Sequence, residues 1–191
     1  MTVITEGKLE FTFDDDWQVL KWDDHPAYRN GIGKLDETKA VDVLGLYRKN
    51  ELFLIEIKDF RTDPIPNQER IGAPLAVEVG QKTRDTLAGM IAALRHRPDS
   101  EKWSVFVEAL TDRDRHIRVV LWMEDVPTTS LRVSRRIAKA KADSNAGIML
   151  NALKQKLPWL TRRVMVASQA DNCLEQWGVK VRNLAGAGLS A

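Results

Sequence analysis

Two apolar runs dominate the hydrophobic pattern, residues 40–47 and 52–60, separated by the polar stretch Arg48-Lys49-Asn50-Glu51. Apolar runs of strand length on either side of a polar turn predict a central β-hairpin. Ahead of them, 8–13 and 17–22 are rich in β-forming residues and flank the acidic turn Asp14-Asp15-Asp16, which predicts another hairpin. Residues 23–39 are polar and Gly-containing, with a short helical turn expected at 25–30. Beyond Pro64, Pro66 and Pro74, the residues Leu87, Met90, Ile91 and Leu94 recur at helical spacing, so 76–95 should be an amphipathic helix covering the sheet. Residues 103–109 and 116–123 read as a second hairpin around the charged turn 111–115. A long helix is expected over 131–157 with a break near 144–147, then late strands at 163–167 and 179–181, and a small, Gly-rich tail at 185–191 that should fray. The sum is one α/β domain over 1–191, core about 8–182, with a mixed central β-sheet flanked by α-helices.

Composition narrows the class. A hydrophobic fraction of 43% with 29% charged residues is that of an ordinary globular protein. No stretch approaches the roughly 20 apolar residues of a membrane span. Glu6, Lys8 and Glu10 interrupt the apolar residues of the N-terminus, so a secretory signal is not expected and the cytoplasm is. One cysteine, Cys173, and three histidines cannot build a disulfide or the usual zinc sites. Net charge is only +2, but it is unevenly spread: Arg132, Arg135, Arg136, Lys139, Lys141, Lys154, Lys156, Arg162 and Arg163 face a single acid, Asp143, between 132 and 163. Arg132, Arg135, Arg136 and Lys139 recur at helical spacing, which suits contact with phosphates.

The chemistry lies in the central hairpin. Side chains alternate faces along a strand, so Glu56 and Lys58 point the same way from an otherwise apolar run. Buried charge carries a desolvation cost that must be offset by pairing or by a metal. Asp42 is a second carboxylate among apolar neighbours; an odd-numbered turn puts it on the face of Glu56 and Lys58, an even-numbered one on the other face. Two carboxylates in proximity repel, and a hard divalent cation resolves that repulsion by taking both as oxygen ligands. Such a cation activates a bound water, and the Lys58 ammonium is placed to orient it.

Val41-Asp42, thirteen intervening residues, then Glu56-Ile57-Lys58 resemble the signature of the PD-(D/E)xK nuclease superfamily, with Val in place of the Pro of its name. The resemblance implies a restriction-endonuclease-like fold and magnesium- or manganese-dependent hydrolysis of phosphodiester bonds in DNA or RNA. It implies Asp42 and Glu56 as metal ligands, joined by the Ile57 backbone carbonyl, and Lys58 as the group that positions the nucleophile. It also implies a polar residue on the following helix, where Glu78, Gln81, Lys82 and Asp85 share a face and Gln81 is preferred. An early acid or histidine is implied too, with Glu10, Asp24, His25 and Glu37 as candidates, and so is work as a homodimer or within a larger complex. The competing reading keeps the fold without the chemistry, as an inactive module that binds nucleic acid or a protein. The six tryptophans read chiefly as packing, and Cys173 as structural.

Overall fold

A computed structural model describes residues 1–61, 70–96, 100–124 and 135–184, with backbone alone at 100–102 and 135–138. Five strands form a mixed sheet, in the order β3 (Trp17–Lys21), β4 (Val43–Tyr47), β5 (Glu51–Asp59), β6 (His116–Glu124) and β7 (Val164–Ala167). β3, β4 and β5 run antiparallel, while β6 lies parallel to β5 and β7 parallel to β6. A second, antiparallel sheet has the order β1 (Thr2–Glu6), β2 (Leu9–Phe13) and β8 (Lys180–Asn183). The architecture is α/β, a mixed sheet flanked by helices.

Alternation along β4 and β5 divides the core in two. Leu44, Leu46, Leu52 and Leu54 face the helices α2 (Ala73–His96), α3 (Ser100–Thr111) and α4 (Arg135–Lys156), meeting Leu75, Val79 and Met90 of α2, Trp103 and Phe106 of α3, and Met149 and Leu153 of α4. Val43, Phe53, Ile55 and Ile57 face the other way, onto Leu9, Phe11 and Phe13 of the small sheet. A large side chain fully buried in this way contributes about 1.5–3 kcal/mol, so both faces are firmly held. Gly45 has a packing reason: a Cβ there would stand 2.7 Å from the Trp17 ring.

Three expectations need correction. Residues 103–109 are not a strand but the middle of α3: Trp103, Phe106 and Ala109 are buried at i, i+3 and i+6, the stripe of a helix, with Val105 and Val107 only partly buried. β6 therefore has no hairpin partner and reaches β5 in parallel, across a connection that carries α2 and α3. β2 and β3 do not pair either, because the chain changes sheets at Asp14-Asp15-Asp16, where the Asp16 N–H donates to Asp14 Oδ1 at 3.0 Å. β2 takes β1 as its hairpin partner across Gly7, whose left-handed φ of 55° suits a tight turn. Finally, α4 runs unbroken through 144–147. The helical turn expected at 25–30 is α1 (Pro26–Arg29), capped by His25. Arg132 and the tail 185–191 lie outside the described residues. Among the described residues no helix is long and apolar enough to cross a membrane.

Candidate metal and catalytic site

The hairpin turn between β4 and β5 is Arg48, Lys49 and Asn50, three residues, with left-handed φ at Arg48 (48°) and Lys49 (55°). An odd turn fixes the register Val43↔Ile55 and, one step on, sets Asp42 level with Glu56. Asp42, Glu56 and Lys58 thus lie on the helix-facing side of the sheet, beneath α2.

The ladder stops at Asp42. A regular hairpin would next pair Val41 with Ile57, but the Val41 N–H donates to Thr86 Oγ1 at 3.1 Å, and Asp42 Oδ2 accepts the Ile57 N–H at 2.6 Å. β4 peels away, and its carboxylate caps the donor that the ladder abandons. A residue's N–H and C=O leave a strand on the same side, so the Ile57 carbonyl also faces the gap, without the Val41 donor.

Glu56 is fully buried, and its Oε1 accepts from Lys82 Nζ at 2.6 Å and Lys58 Nζ at 2.8 Å. Its Oε2 is buried with no hydrogen-bond partner. Lys82 also stands 3.7 Å from Asp42 Oδ1, so one ammonium touches both carboxylates. Burial, and then the neighbouring Glu56 charge, push the Asp42 carboxyl up to about 7, against the pull of Lys82 and the Ile57 N–H. Burial works to lower Lys58, but the Glu56 and Glu78 carboxylates outweigh it and hold its ammonium above the ordinary lysine range. Lys58 is 3.1 Å from Glu78 Oε1, and Glu78 pairs with Arg70; burial works to raise Glu78, but these cations hold it below the usual range.

On the outer side, carboxylate oxygens of Glu6, Asp23 and Asp42 lie within 4.8 Å of one another. Lys21 bridges Glu6 (2.6 Å) and Asp23 (3.1 Å). The early acids beside Asp42 are therefore Glu6 and Asp23. Of the four considered from the sequence, Glu10 pairs with Arg182, Asp24 with Lys21 and Arg29, His25 caps α1 and packs on Trp22, and Glu37 is exposed. On α2, Lys82 rather than Gln81 contacts the carboxylates; Gln81 lines a separate concavity with Arg84, Lys156 and Trp159. No local signal in the sequence singled out Glu6. For Lys82 the signal was its position four residues after Glu78. Lys139 is exposed, 3.7 Å from Asp143, and Arg135 and Arg136 open α4.

The donor set suits a hard divalent cation: two carboxylates held together against their own repulsion, a buried carboxylate oxygen without a partner, and a strand carbonyl turned to the gap, all oxygen.

No protein-family model matches the chain, and no solved structure matches it. It is similar to a cysteine–tRNA ligase of Neisseria meningitidis, 30% identical over 151 residues, covering 65% of this chain and 21% of the ligase. The chain thus spans about a fifth of that relative's length.

Proposed function

We propose that this chain is a metal-dependent nuclease of the PD-(D/E)xK kind, hydrolysing phosphodiester bonds in nucleic acid. The observation that carries the reading is the buried Asp42–Glu56 pair with the unpartnered Glu56 Oε2. Asp42, Glu56 and the Ile57 carbonyl would hold magnesium or manganese. The bound ion supplies a water of lowered pKa and neutralises charge on the phosphate.

The chain's own residues do the rest. Asp42 must give up its proton before it can serve as a ligand, since its carboxyl titrates near 7. Lys58 stays protonated, so it acts as a donor: it orients the attacking water and steadies charge on the phosphate, and a separate group or solvent takes the water's proton. Glu78 holds the Lys58 ammonium in place from α2. Lys82 balances the carboxylates and would have to withdraw for a cation to bind between them. DNA is the first substrate to test. The similar ligase is named for tRNA, which keeps structured RNA beside it. The cytoplasm as location and self-association into a homodimer, or membership of a larger complex, belong to the same reading.

One observation favours the inactive module instead: Lys82 Nζ already occupies the space between the carboxylates. Purified protein incubated with labelled linear, circular and single-stranded DNA and folded RNA, in Mg2+ or Mn2+, separates the two. Cleavage abolished by EDTA and reduced at least about a hundredfold in Lys58→Ala is expected, the scale of losing one preorganised donor to the developing charge. Salt-sensitive binding with no cleavage in any metal leaves the inactive module.

A further inference from the structure

The concavity between α2 and the end of α4 is lined by Val77, Gly80, Gln81, Arg84, Lys156 and Trp159, and has a volume of about 330 Å³. Its wall is the flank of α2 that turns away from Glu78 and Lys82. Trp159 is 56% exposed, the largest aromatic surface left in water among the described residues. It is nevertheless rigidly mounted. The Leu157 carbonyl accepts the N–H groups of Leu160 (3.0 Å) and Thr161 (2.9 Å), the Leu157 side chain is fully buried, and the Thr161 hydroxyl donates to the Ile117 carbonyl at 2.7 Å. An indole held out on a pinned turn loses little freedom when something stacks on it.

Charge surrounds it with one sign. Lys156 lines the concavity and makes no ion pair among the described residues, and Lys154, Arg162 and Arg163 are exposed on the adjoining chain. Arg84 is partly neutralised by Asp85 at 2.7 Å. A flat aromatic face flanked by unpaired cations and an amide matches one ligand chemistry: a base to stack, a phosphate on either side of it, and a base edge for hydrogen bonds.

We infer that this concavity is a binding subsite for an unpaired nucleotide of a nucleic-acid strand, with Trp159 stacking the base, Lys156 and Arg84 contacting phosphates and Gln81 meeting the base edge. The inference rests on the nucleic-acid partner of the proposed function and not on cleavage. Because α2 separates this subsite from Asp42 and Glu56, a strand lying across the helix would be held on one side and cut on the other. The substrate would then carry a single-stranded stretch.

The test measures binding without cleavage: fluorescence anisotropy of labelled oligothymidylate, oligouridylate and a blunt duplex, in EDTA, with full-length wild type, Trp159→Ala, Trp159→Phe and Lys156→Ala. Trp159→Ala should weaken the single strands about tenfold or more, Trp159→Phe should keep most of the affinity, and the duplex should change least. Lys156→Ala should weaken every ligand and reduce the salt slope by about one. The thymidylate and uridylate arms tell DNA from RNA. Unchanged single-strand binding in Trp159→Ala, or equal losses for duplex and single strand, overturns the subsite. Far-UV circular dichroism of each variant separates a lost contact from a lost fold. Failed cleavage with intact, Trp159-dependent binding refutes only the nuclease.

Discussion

Glu56 and Glu124 are both buried acids on neighbouring parallel strands, one on each face of the sheet, and they are treated in opposite ways. Glu124 Oε1 accepts the Trp122 indole N–H at 2.9 Å and the Gln169 backbone N–H at 2.8 Å, both neutral donors that are present whatever the pH. Burial raises its carboxyl and the Gln169 N–H opposes that, and the result ties β6 to the segment after β7. Glu56 has charged partners only, a second carboxylate beside it and an oxygen with nothing to bind. The first arrangement is complete in itself. The second is balanced only by lysines that lie within reach of solvent. Burial alone does not distinguish the two carboxylates; the unfinished set of partners does.

The largest expected departure from that contrast is Lys82→Met. Removing one partner of a buried pair costs up to about 3–5 kcal/mol; here Glu56 keeps Lys58, while Asp42 loses the ammonium 3.7 Å away. Urea unfolding in EDTA near pH 8 should show that loss, and millimolar Mg2+ should restore much of it. A variant as stable as wild type in EDTA would place the carboxylates in better solvent than the structure gives them.

The next effect, which depends on pH, comes from Asp42. Its carboxyl titrates at about 7 in the fold against about 3.9 in an unfolded chain, so the folded state binds the extra proton between those values. Its contribution is complete below about pH 4, falls as pH rises to about 7 and is flat above. The difference in Tm between wild type and Asp42→Asn, in EDTA, should therefore shift against wild type across that window, and Mg2+ should reverse the trend. A difference that moves toward wild type as pH rises would contradict it.

The smallest is Glu124→Gln. The amide keeps an oxygen for the Trp122 and Gln169 donors, so stability should move by no more than about 1.5 kcal/mol and cleavage not at all. A large loss of activity there would dissolve the distinction between the two acids.

Asp42, Glu56 and Lys58 were legible because each breaks an apolar run, and a charge in such a run has few innocent explanations. Their common face depended on one residue of turn length, which two left-handed residues settled. Glu6 and Asp23 were not legible as neighbours of Asp42, since Glu6 ends β1 of the small sheet and Asp23 lies in the turn after β3 of the large one, and they meet only in three dimensions. Trp103 to Ala109 misled because Val105 and Val107 imitate strand alternation over a stretch too short to separate a period of 2 from one of 3.6. The sheet change at Asp14-Asp15-Asp16 carried no local sign, as a corner and a hairpin use the same turn residues.

β2 lies between β1 and β8, and Glu10 on β2 pairs with Arg182 on β8, 172 residues away. Closing so long a loop is slow, so β2 gains its β8 neighbour only once the chain between them has been made. Leu9, Phe11 and Phe13 have no finished sheet to lie in during that interval, and Glu6 has no fixed place beside Asp23 and Asp42. The acidic side of the site is thus completed by one of the last folding events, so a partly made chain holds the hairpin of Asp42 and Glu56 before it holds the whole constellation.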